Sequence, residues 1–314
     1  MLGIPDFFWV IEDAPSINMF AEKLAARVES LKTPILMGLD PRVDMIPDDC
    51  FVEGKGDAAA IAKGFARFGI RLLEALADQV AAVKPQIAFY EALGLPGLQA
   101  YIDILNRAKE LGIPTIADIK RGDIGSTAEA YACAHLKGAS GEDAPFEADA
   151  VTLNAWLGED SLKPFFDRCV EHEKGVYLLL HTSNPGSQDL QEWDGENGKK
   201  VYQHLADLMD RWQESYTASG EWSSIGAVVG ATWPRQLVEL RDALPRTPFL
   251  VPGYGSQGGK GEDVAFLFEK QKVPHLINAS RSLTYAYRQE EGLSLEEGAL
   301  KACEAMKNDI LIGG

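Results

Sequence analysis

The sequence contains few cysteines and histidines, and it has no long apolar run. Its four cysteines stand far apart and never in C-x-x-C spacing, which argues against a zinc site or a disulfide framework. The 5 histidines are scattered too, so no metal site is predicted. No apolar run approaches the roughly 18 residues of a membrane span, and the N-terminus lacks the basic and apolar blocks of a signal peptide. We therefore expect a cytoplasmic protein, in a reducing compartment and without a membrane partner.

Basic residues are also scarce. The chain has 30 Lys and Arg against 47 Asp and Glu, which gives a net charge of −17. Because binding to nucleic acid or to an anionic membrane needs clustered basic residues, we expect neither partner. A small anionic substrate stays open, since a local basic pocket can form within an acidic protein. The length of 314 residues allows one large α/β domain or two small ones.

Internal repeats, low-complexity tracts and linkers are absent, and short apolar runs recur with amphipathic segments between them. The runs are mostly continuous rather than alternating, which is typical of strands buried on both faces. The predicted strands are 34–40, 80–86, 114–120, 149–154, 175–183, 225–232, 248–255 and 275–280. Eight strand–helix units in about 250 residues predict an α/β fold of the (β/α)8 TIM barrel type. A doubly wound open sheet is the alternative.

Two segments lie outside this repeating pattern. Residues 16–32 predict an extra N-terminal helix that covers the bottom of the barrel. Residues 184–224 are long and polar, and we expect a loop followed by a helix over 199–217 there. The prediction is a single domain over residues 1–314, with the barrel core at about 34–312.

Polar residues gather at the carboxyl ends of the predicted strands. In a barrel, this face carries the active site. The residues concerned are Asp40, Lys84, Asp118, Lys120, Asn154, Ser183, Gln257 and Arg281. Their common placement predicts one site at the barrel mouth.

The stretch "TIADIKRGDIG" (115–125) is the most charged of these strand ends. Because side chains alternate along a strand, Asp118 and Lys120 should point to one face. Lys84 ends the neighbouring strand, and Asp123 follows in a loop from which it either folds back or reaches a neighbouring subunit. Buried charges are costly unless they are paired, and such networks mark functional sites. The alternative is a structural salt bridge at a strand end.

The last two strand ends predict a phosphate site. "VPGYGSQGGKGED" (251–263) is rich in glycine, which lets backbone N–H groups approach an anion. "NASRSL" (278–283) follows the eighth strand, and the loops after strands seven and eight form the usual phosphate site of barrels. Arg281 can bind a phosphate bidentately, helped by the N–H groups of Ser280 and Arg281. The alternative is an ordinary turn and a surface ion pair.

The segment "HTSNPGS" (181–187) ends the fifth strand. Ser183 offers a hydroxyl and a backbone N–H to a polar heterocycle. A Ser–His hydrolase built on His181 and Ser183 is not favoured, because neither a nucleophile elbow nor an orienting third member is visible.

Five segments together resemble a known family. They are "ADIKRGDIGSTAEAYA" (117–132), "AVKPQIAFYE" (82–91), "HTSNPGS" (181–187), "VPGYGSQGG" (251–259) and "ASRSL" (279–283). The chain resembles the orotidine 5′-phosphate decarboxylases, in particular their longer bacterial type (type 2), over roughly residues 20–310. The resemblance implies a homodimeric (β/α)8 barrel that converts orotidine monophosphate to UMP without a cofactor or metal.

The resemblance also implies a role for each matching residue. The implied catalytic residues are Lys84, Asp118, Lys120 as proton donor, and Asp123. The implied substrate-binding residues are Asp40 for the ribose, Ser183 for the pyrimidine, Gln257, Gly258, Ser280 and Arg281 for the phosphate, and Ile124 and Thr127. Asp123, Ile124 and Thr127 would reach the site of the partner subunit. Asn154 has no counterpart, and residues 184–224 are poorly matched.

Three alternatives stay open at this point. One is a sugar-phosphate decarboxylase or isomerase barrel that shares the D-x-K-x-x-D pattern and uses magnesium. Another is an aldolase in which Lys84 or Lys120 forms a Schiff base, which the acidic neighbours disfavour because they keep lysine protonated. The third is a nucleotide-binding protein without catalytic activity.

Overall fold

The computed structural model describes residues 19–195, 198–216, 220–255, 258–268 and 273–312. All eight predicted strands form, and every pair is parallel. The strands are β1 (Ile35–Leu39), β2 (Ala82–Pro85), β3 (Ile116–Arg121), β4 (Ala150–Leu153), β5 (Gly175–His181), β6 (Ile225–Val229), β7 (Phe249–Val251) and β8 (Leu276–Ala279). Their order in the sheet is β2-β1-β8-β7-β6-β5-β4-β3.

The two ends of this sheet, β2 and β3, meet and close the barrel. Parallel bridges join Val83 to Thr115 and Gln86 to Asp118. The backbone N–H of Val83 also donates to the carbonyl of Pro114 at 2.9 Å. The prediction of a (β/α)8 barrel is therefore confirmed, and the open sheet is excluded.

Helices follow the strands and cover the outside of the barrel. The α-helices are α1 (Phe20–Leu31), α2 (Ala58–Leu76), α3 (Ile87–Glu91), α4 (Leu95–Glu110), α5 (Gly125–His135), α6 (Glu159–His172), α7 (Val201–Tyr216), α8 (Pro234–Ala243), α9 (Arg281–Thr284) and α10 (Leu295–Ile312). Short 3-10 turns occur at Asp48–Cys50, Pro185–Asp189, Gly261–Asp263, Ala265–Phe268 and Ala286–Gln289. The described part of the chain has no helix that is long and apolar enough to cross a membrane.

Helix α1 covers the amino-terminal end of the barrel, as the sequence predicted. Its Phe20 and Leu24 pack into an apolar cluster with inward-facing residues at the starts of the strands, such as Leu36 and Tyr177. The ring of Phe20 meets that of Tyr177 edge-on, with centroids 6.4 Å apart. The first residues of the predicted helix, 16–18, lie outside the described part. This end of the barrel is thus filled and apolar, which leaves the opposite end for a site.

A glycine in β1 permits close packing inside the barrel. A Cβ atom at Gly38 would lie 2.0 Å from Ser280 Oγ and 3.0 Å from Asn278 Oδ1. Such contacts are too short for any side chain, so β8 can place these polar groups against β1 only because position 38 is glycine.

Candidate active site at the carboxyl end of the barrel

A cavity of about 540 Å³ opens at the carboxyl ends of the strands. The strands of the barrel contribute different kinds of side chain to the lining of this cavity. β5, β6 and β7 contribute the apolar side chains Leu179, Val228 and Leu250, whereas the other strands contribute charged and polar ones. The cavity can therefore hold a ligand with one polar and one less polar side.

A charge array forms the polar wall. Asp118 is buried within β3, between two ammonium groups. Lys84 Nζ lies 2.6 Å from Asp118 Oδ2, and Lys120 Nζ donates to Asp118 Oδ1. The hydroxyl of Thr152 also donates to Oδ1, at 2.8 Å. The Lys–Asp–Lys cluster expected from the sequence thus exists as a hydrogen-bonded unit.

The pairing keeps the charges of the array in place. Burial alone would raise the pKa of the Asp118 carboxyl, but Lys84 and Lys120 outweigh burial and hold this pKa well below its usual range. Burial alone would lower the pKa of Lys84, but the charges of Asp118 and Asp40 raise it above its ordinary value. At neutral pH, Asp118 is therefore ionised and Lys84 carries a charge.

The two lysines differ in their access to the cavity. The side chain of Lys84 is 7% exposed, and that of Lys120 is 46% exposed. Both lysines line the cavity, but Lys120 is open to a ligand, whereas most of the Lys84 side chain is buried. The aldolase alternative is disfavoured at Lys84, because a charged ammonium is not a nucleophile.

The backbone of Lys120 departs from the regular alternation of a strand. Its φ of +45° lies in the left-handed region, which is uncommon for a residue other than glycine. Such strained conformations cluster at functional sites. Asp118 and Lys120 do share the cavity face as predicted, but an irregular backbone brings the ammonium back towards the carboxylate.

Four further predicted residues line the same cavity: Asp40, Ser183, Ser280 and Arg281. The backbone around Asp40 is fixed by the hydroxyl of Tyr285, which donates to the Asp40 carbonyl at 2.9 Å. The Thr232 hydroxyl donates to the Ser183 carbonyl at 3.2 Å. The charge array and the predicted phosphate end are thus parts of one site.

Other predicted residues do not line this cavity. Asp123 is half-buried, while Ile124 and Thr127 are exposed on the rim after β3. The expectation that these three serve a partner subunit stays a prediction. Gly258 is exposed and is not among the lining residues. Gln257 lies outside the described residues.

Asn154 has a local role rather than a place in the cavity. Its side-chain oxygen accepts the N–H of Trp156 at 3.0 Å, which holds the turn after β4. The clustering of polar strand ends had included this residue in the site, but Asn154 is not among the residues that line the cavity.

Comparison with known proteins decides the family. The model of the orotidine 5′-phosphate decarboxylase / HUMPS family matches residues 66–294. The orotidine 5′-phosphate decarboxylase of Rhodopirellula baltica is 37% identical over 302 residues, which cover 94% of this chain and 99% of that protein. This chain belongs to the orotidine 5′-phosphate decarboxylase / HUMPS family. The orotidine 5′-phosphate decarboxylase of Clostridium perfringens is also similar, with 39% identity over 293 residues, 93% of this chain and 98% of that protein.

Solved structures of family members have the same fold. The putative orotidine 5′-phosphate decarboxylase from Streptomyces avermitilis superposes with a TM-score of 0.76 at 28% identity, covering 94% of this chain and 95% of that one. The orotidine monophosphate decarboxylase of Leishmania donovani superposes with a TM-score of 0.71 at 29% identity, covering 94% and 98%.

The cavity of this family member contains polar residues that the sequence reasoning missed. They are Gln86, Thr152, Thr182, Asn184, Gln191 and Asn278. Strand alternation could have found three of them, since Gln86 follows Lys84 by two positions, Asn278 precedes Ser280 by two, and Thr152 is an inward position of β4. Asn184 and Gln191 come from the loop that begins the long segment 184–224, ahead of its predicted helix, and this loop has no periodic signal.

Proposed function

We propose that this chain decarboxylates orotidine 5′-monophosphate to UMP and carbon dioxide, with Lys84, Asp118 and Lys120 as its charge array. Family membership and the 37% and 39% identity to decarboxylases over nearly the whole chain support this activity. The observation that carries the mechanism is the buried Asp118 carboxylate held between two ammonium groups at the mouth of the barrel.

The reaction needs a fixed positive charge beside one carbon of the pyrimidine. When the bond from C6 to the carboxylate breaks, its electron pair stays on C6 in the ring plane, where no adjacent carbonyl accepts it by simple resonance. Lys120 is the more exposed of the two lysines that line the cavity. It stabilises the electron pair and then gives C6 a proton, and the neutral amine regains a proton from water.

Asp118 and Lys84 hold this ammonium in place. The ionised Asp118 binds both ammonium groups, so Lys120 cannot turn away without breaking a partly buried ion pair. Lys84 donates a hydrogen bond to the second carboxylate oxygen, Oδ2, and neutralises part of its charge. A preorganised array of this kind costs no reorganisation when charge develops on the substrate.

The other lining residues orient the substrate along the cavity. Arg281 and Ser280, at the end of β8, hold the phosphate in this proposal, with Gln257 and Gly258 from the loop over it. Asp40 binds the ribose and Ser183 the pyrimidine. Phosphate binding far from C6 organises the array and excludes water, so it contributes to the transition state as well as to affinity.

A second copy of the chain completes the site in this proposal. Apolar side chains are exposed at the rim beside Asp123: Ile124 at 56%, Trp156 at 71% and Leu157 at 47%. The turns that carry them touch, because a Cβ atom at Gly122 would lie 3.2 Å from the Asn154 carbonyl. Such a rim favours a homodimer in which Asp123, Ile124 and Thr127 reach the partner's cavity.

The cytoplasm is the proposed location. All four cysteines are free thiols, and Cys50, Cys169 and Cys303 are buried. Unpaired thiols are the ordinary state of cysteine in a reducing compartment.

The test of the proposed activity is the loss of pyrimidine absorbance when pure protein meets orotidine monophosphate in the presence of EDTA. We expect rapid loss, with UMP and carbon dioxide as products. Activity that disappears with EDTA would favour the magnesium-dependent alternative, and UMP binding without turnover would favour the silent protein. Trapping of the substrate by borohydride would favour the Schiff-base enzyme.

A further inference from the structure

The ladder between β3 and β4 is interrupted beside the charge array. Ala117 pairs with Val151, and the next pair is Arg121 with Leu153. Three residues of β3 therefore lie opposite a single residue of β4, which is Thr152. Irregularities of this kind re-aim side chains next to active sites.

The hydroxyl of Thr152 supplies the hydrogen bonds at this interruption. It accepts the backbone N–H of Ile119 at 3.1 Å and that of Lys120 at 3.2 Å. It donates its proton to Asp118 Oδ1 at 2.8 Å. Because a hydroxyl has one proton and two lone pairs, these three bonds use its whole capacity. Thr152 is 2% exposed as a residue, so these bonds are made in a buried environment, where leaving them unmade is costly.

These bonds hold two groups of the array, the backbone N–H of Lys120 and the carboxylate of Asp118. The N–H of Lys120 belongs to the residue with the left-handed backbone, φ +45°. Holding that N–H stabilises a conformation that a lysine rarely adopts. The bond to Oδ1 fixes the same carboxylate oxygen that binds the Lys120 ammonium. One hydroxyl thereby stabilises both the backbone conformation of Lys120 and the orientation of the carboxylate that binds its ammonium.

We infer that Thr152 is a positioning residue for decarboxylation. Its hydroxyl holds the left-handed backbone of Lys120 and the orientation of Asp118, so that the ammonium stays at one place in the cavity. Thr152 acts through these two residues and takes no part in bond breaking or proton transfer. The inference rests on the proposed function of this site.

The test compares two variants with the wild type. Thr152→Val keeps the shape and removes the hydroxyl, and Thr152→Ser keeps the hydroxyl and removes a methyl group. We expect Thr152→Val to lower kcat on the order of 10²-fold, the cost of misplacing a reacting group by about 1 Å. KM should change only a few-fold, because Ser280, Arg281 and Asp40 are untouched. Thr152→Ser should keep kcat within a few-fold of wild type.

A matched control separates positioning from stability. Thr115 is a buried threonine directly before β3, at the amino-terminal end of the barrel, where its hydroxyl donates to Asp149 Oδ2 at 3.0 Å. Thr115→Val should lower the melting temperature without changing kcat. UMP binding by calorimetry, within a few-fold of wild type, verifies that the Thr152→Val cavity is folded.

Clear outcomes would overturn the inference. Unchanged kcat in Thr152→Val, or an equal loss in Thr152→Val and Thr152→Ser, contradicts a role for the hydroxyl. If Thr152→Val does not fold, Thr152→Cys decides, because the thiol fills similar space with much weaker hydrogen bonds. Its kcat should fall at least tenfold, and full activity would reject the inference. A wild type without decarboxylase activity would instead reject the proposed function.

Discussion

At the scale of single residues, the chemistry depends on where charge is held. Asp118 is one carboxylate with three donors, and the Lys120 ammonium is on a far more exposed side chain than that of Lys84. The proposed phosphate end depends on Arg281, the first residue of α9, which lines the same cavity. In the proposed mechanism, the array lowers the activation barrier and Arg281 binds the phosphate of the substrate.

Arg281→Ala tests this division at the binding end. We expect KM for orotidine monophosphate to rise by one to two orders of magnitude, because a guanidinium–phosphate contact of about 1.5–3 kcal/mol is lost. The preference for orotidine monophosphate over orotidine should fall as well. Steady-state kinetics with orotidine monophosphate and with orotidine measures both the change in KM and the change in preference.

Arg211→Ala is the matched control, because Arg211 is an exposed arginine on α7 away from the cavity lining. It should behave as wild type. Equal use of both substrates by the wild type would contradict the assignment of Arg281.

At the scale of elements, the strands hold the site through buried contacts outside the cavity. His275 precedes β8 and is 2% exposed. Its Nδ1 accepts the backbone N–H of Phe249, the first residue of β7, at 3.0 Å. This bond joins the two strands that carry the proposed phosphate end, and it requires the neutral imidazole.

The His275 contact predicts a loss of stability in acid. Burial, followed by the charge of Arg241, lowers the pKa of His275 from 6.5 to about 3. Since the folded pKa lies below the unfolded one, the stabilisation is complete above pH 6.5 and is lost as pH falls from 6.5 towards 3. The free energy of unfolding should drop by up to about 2 kcal/mol between pH 7 and pH 5 from this group.

Urea unfolding of wild type and His275→Asn between pH 7 and pH 5 measures this contribution. The Asn side chain can accept the same N–H but does not titrate, so the variant should lose less stability in acid. His204→Asn, at an exposed histidine of α7, is the control and should follow wild type. Identical acid slopes for His275→Asn and wild type would reject the prediction.

The elements were largely predictable from the sequence, and their ends less so. All eight strands were found because strands buried on both faces are continuous apolar runs. The run 248–255 extends beyond β7, which ends at Val251 because Pro252 lacks an N–H and Gly253 adopts a φ of +100°. The left-handed backbone of Lys120 was not predictable, since it depends on a hydroxyl of another strand. Gln191 was missed because the sequence of its loop shows no hydrophobic periodicity.

At the scale of the whole molecule, the rim beside the cavity exposes large apolar side chains to solvent in a single chain. Trp156 is 71% exposed and lies next to the turn that carries Asp123 and Ile124. Large aromatic residues in this setting carry much of the binding energy of an interface. The proposed homodimer buries them and completes the site together.

Trp156→Ala should therefore weaken the dimer. We expect the dissociation constant to rise by roughly 30-fold, from the loss of about 2 kcal/mol. Sedimentation over a dilution series measures it, with Leu300→Ala as the control for an exposed apolar residue on α10. A Trp156→Ala dimer as tight as wild type would contradict this use of the rim.

Mixed dimers test whether the partner completes the site. Lys120→Ala and Asp123→Ala should each be nearly inactive alone. In a hybrid dimer, one of the two sites combines native Lys120 with native Asp123. An equal mixture should regain about a quarter of wild-type activity if subunits exchange freely. No recovery, with hybrids verified by differently tagged chains, would place Asp123 in the site of its own subunit.

The most direct test of the account is the decarboxylation rate of Lys120→Ala, measured by absorbance with orotidine monophosphate. Because Lys120 is proposed to stabilise the electron pair on C6 and to protonate it, kcat/KM should fall by about 10³-fold or more, at least about 4 kcal/mol. Lys163→Ala removes an exposed lysine on α6 and should leave the rate unchanged. A folded Lys120→Ala protein that keeps most of its activity would contradict the mechanism.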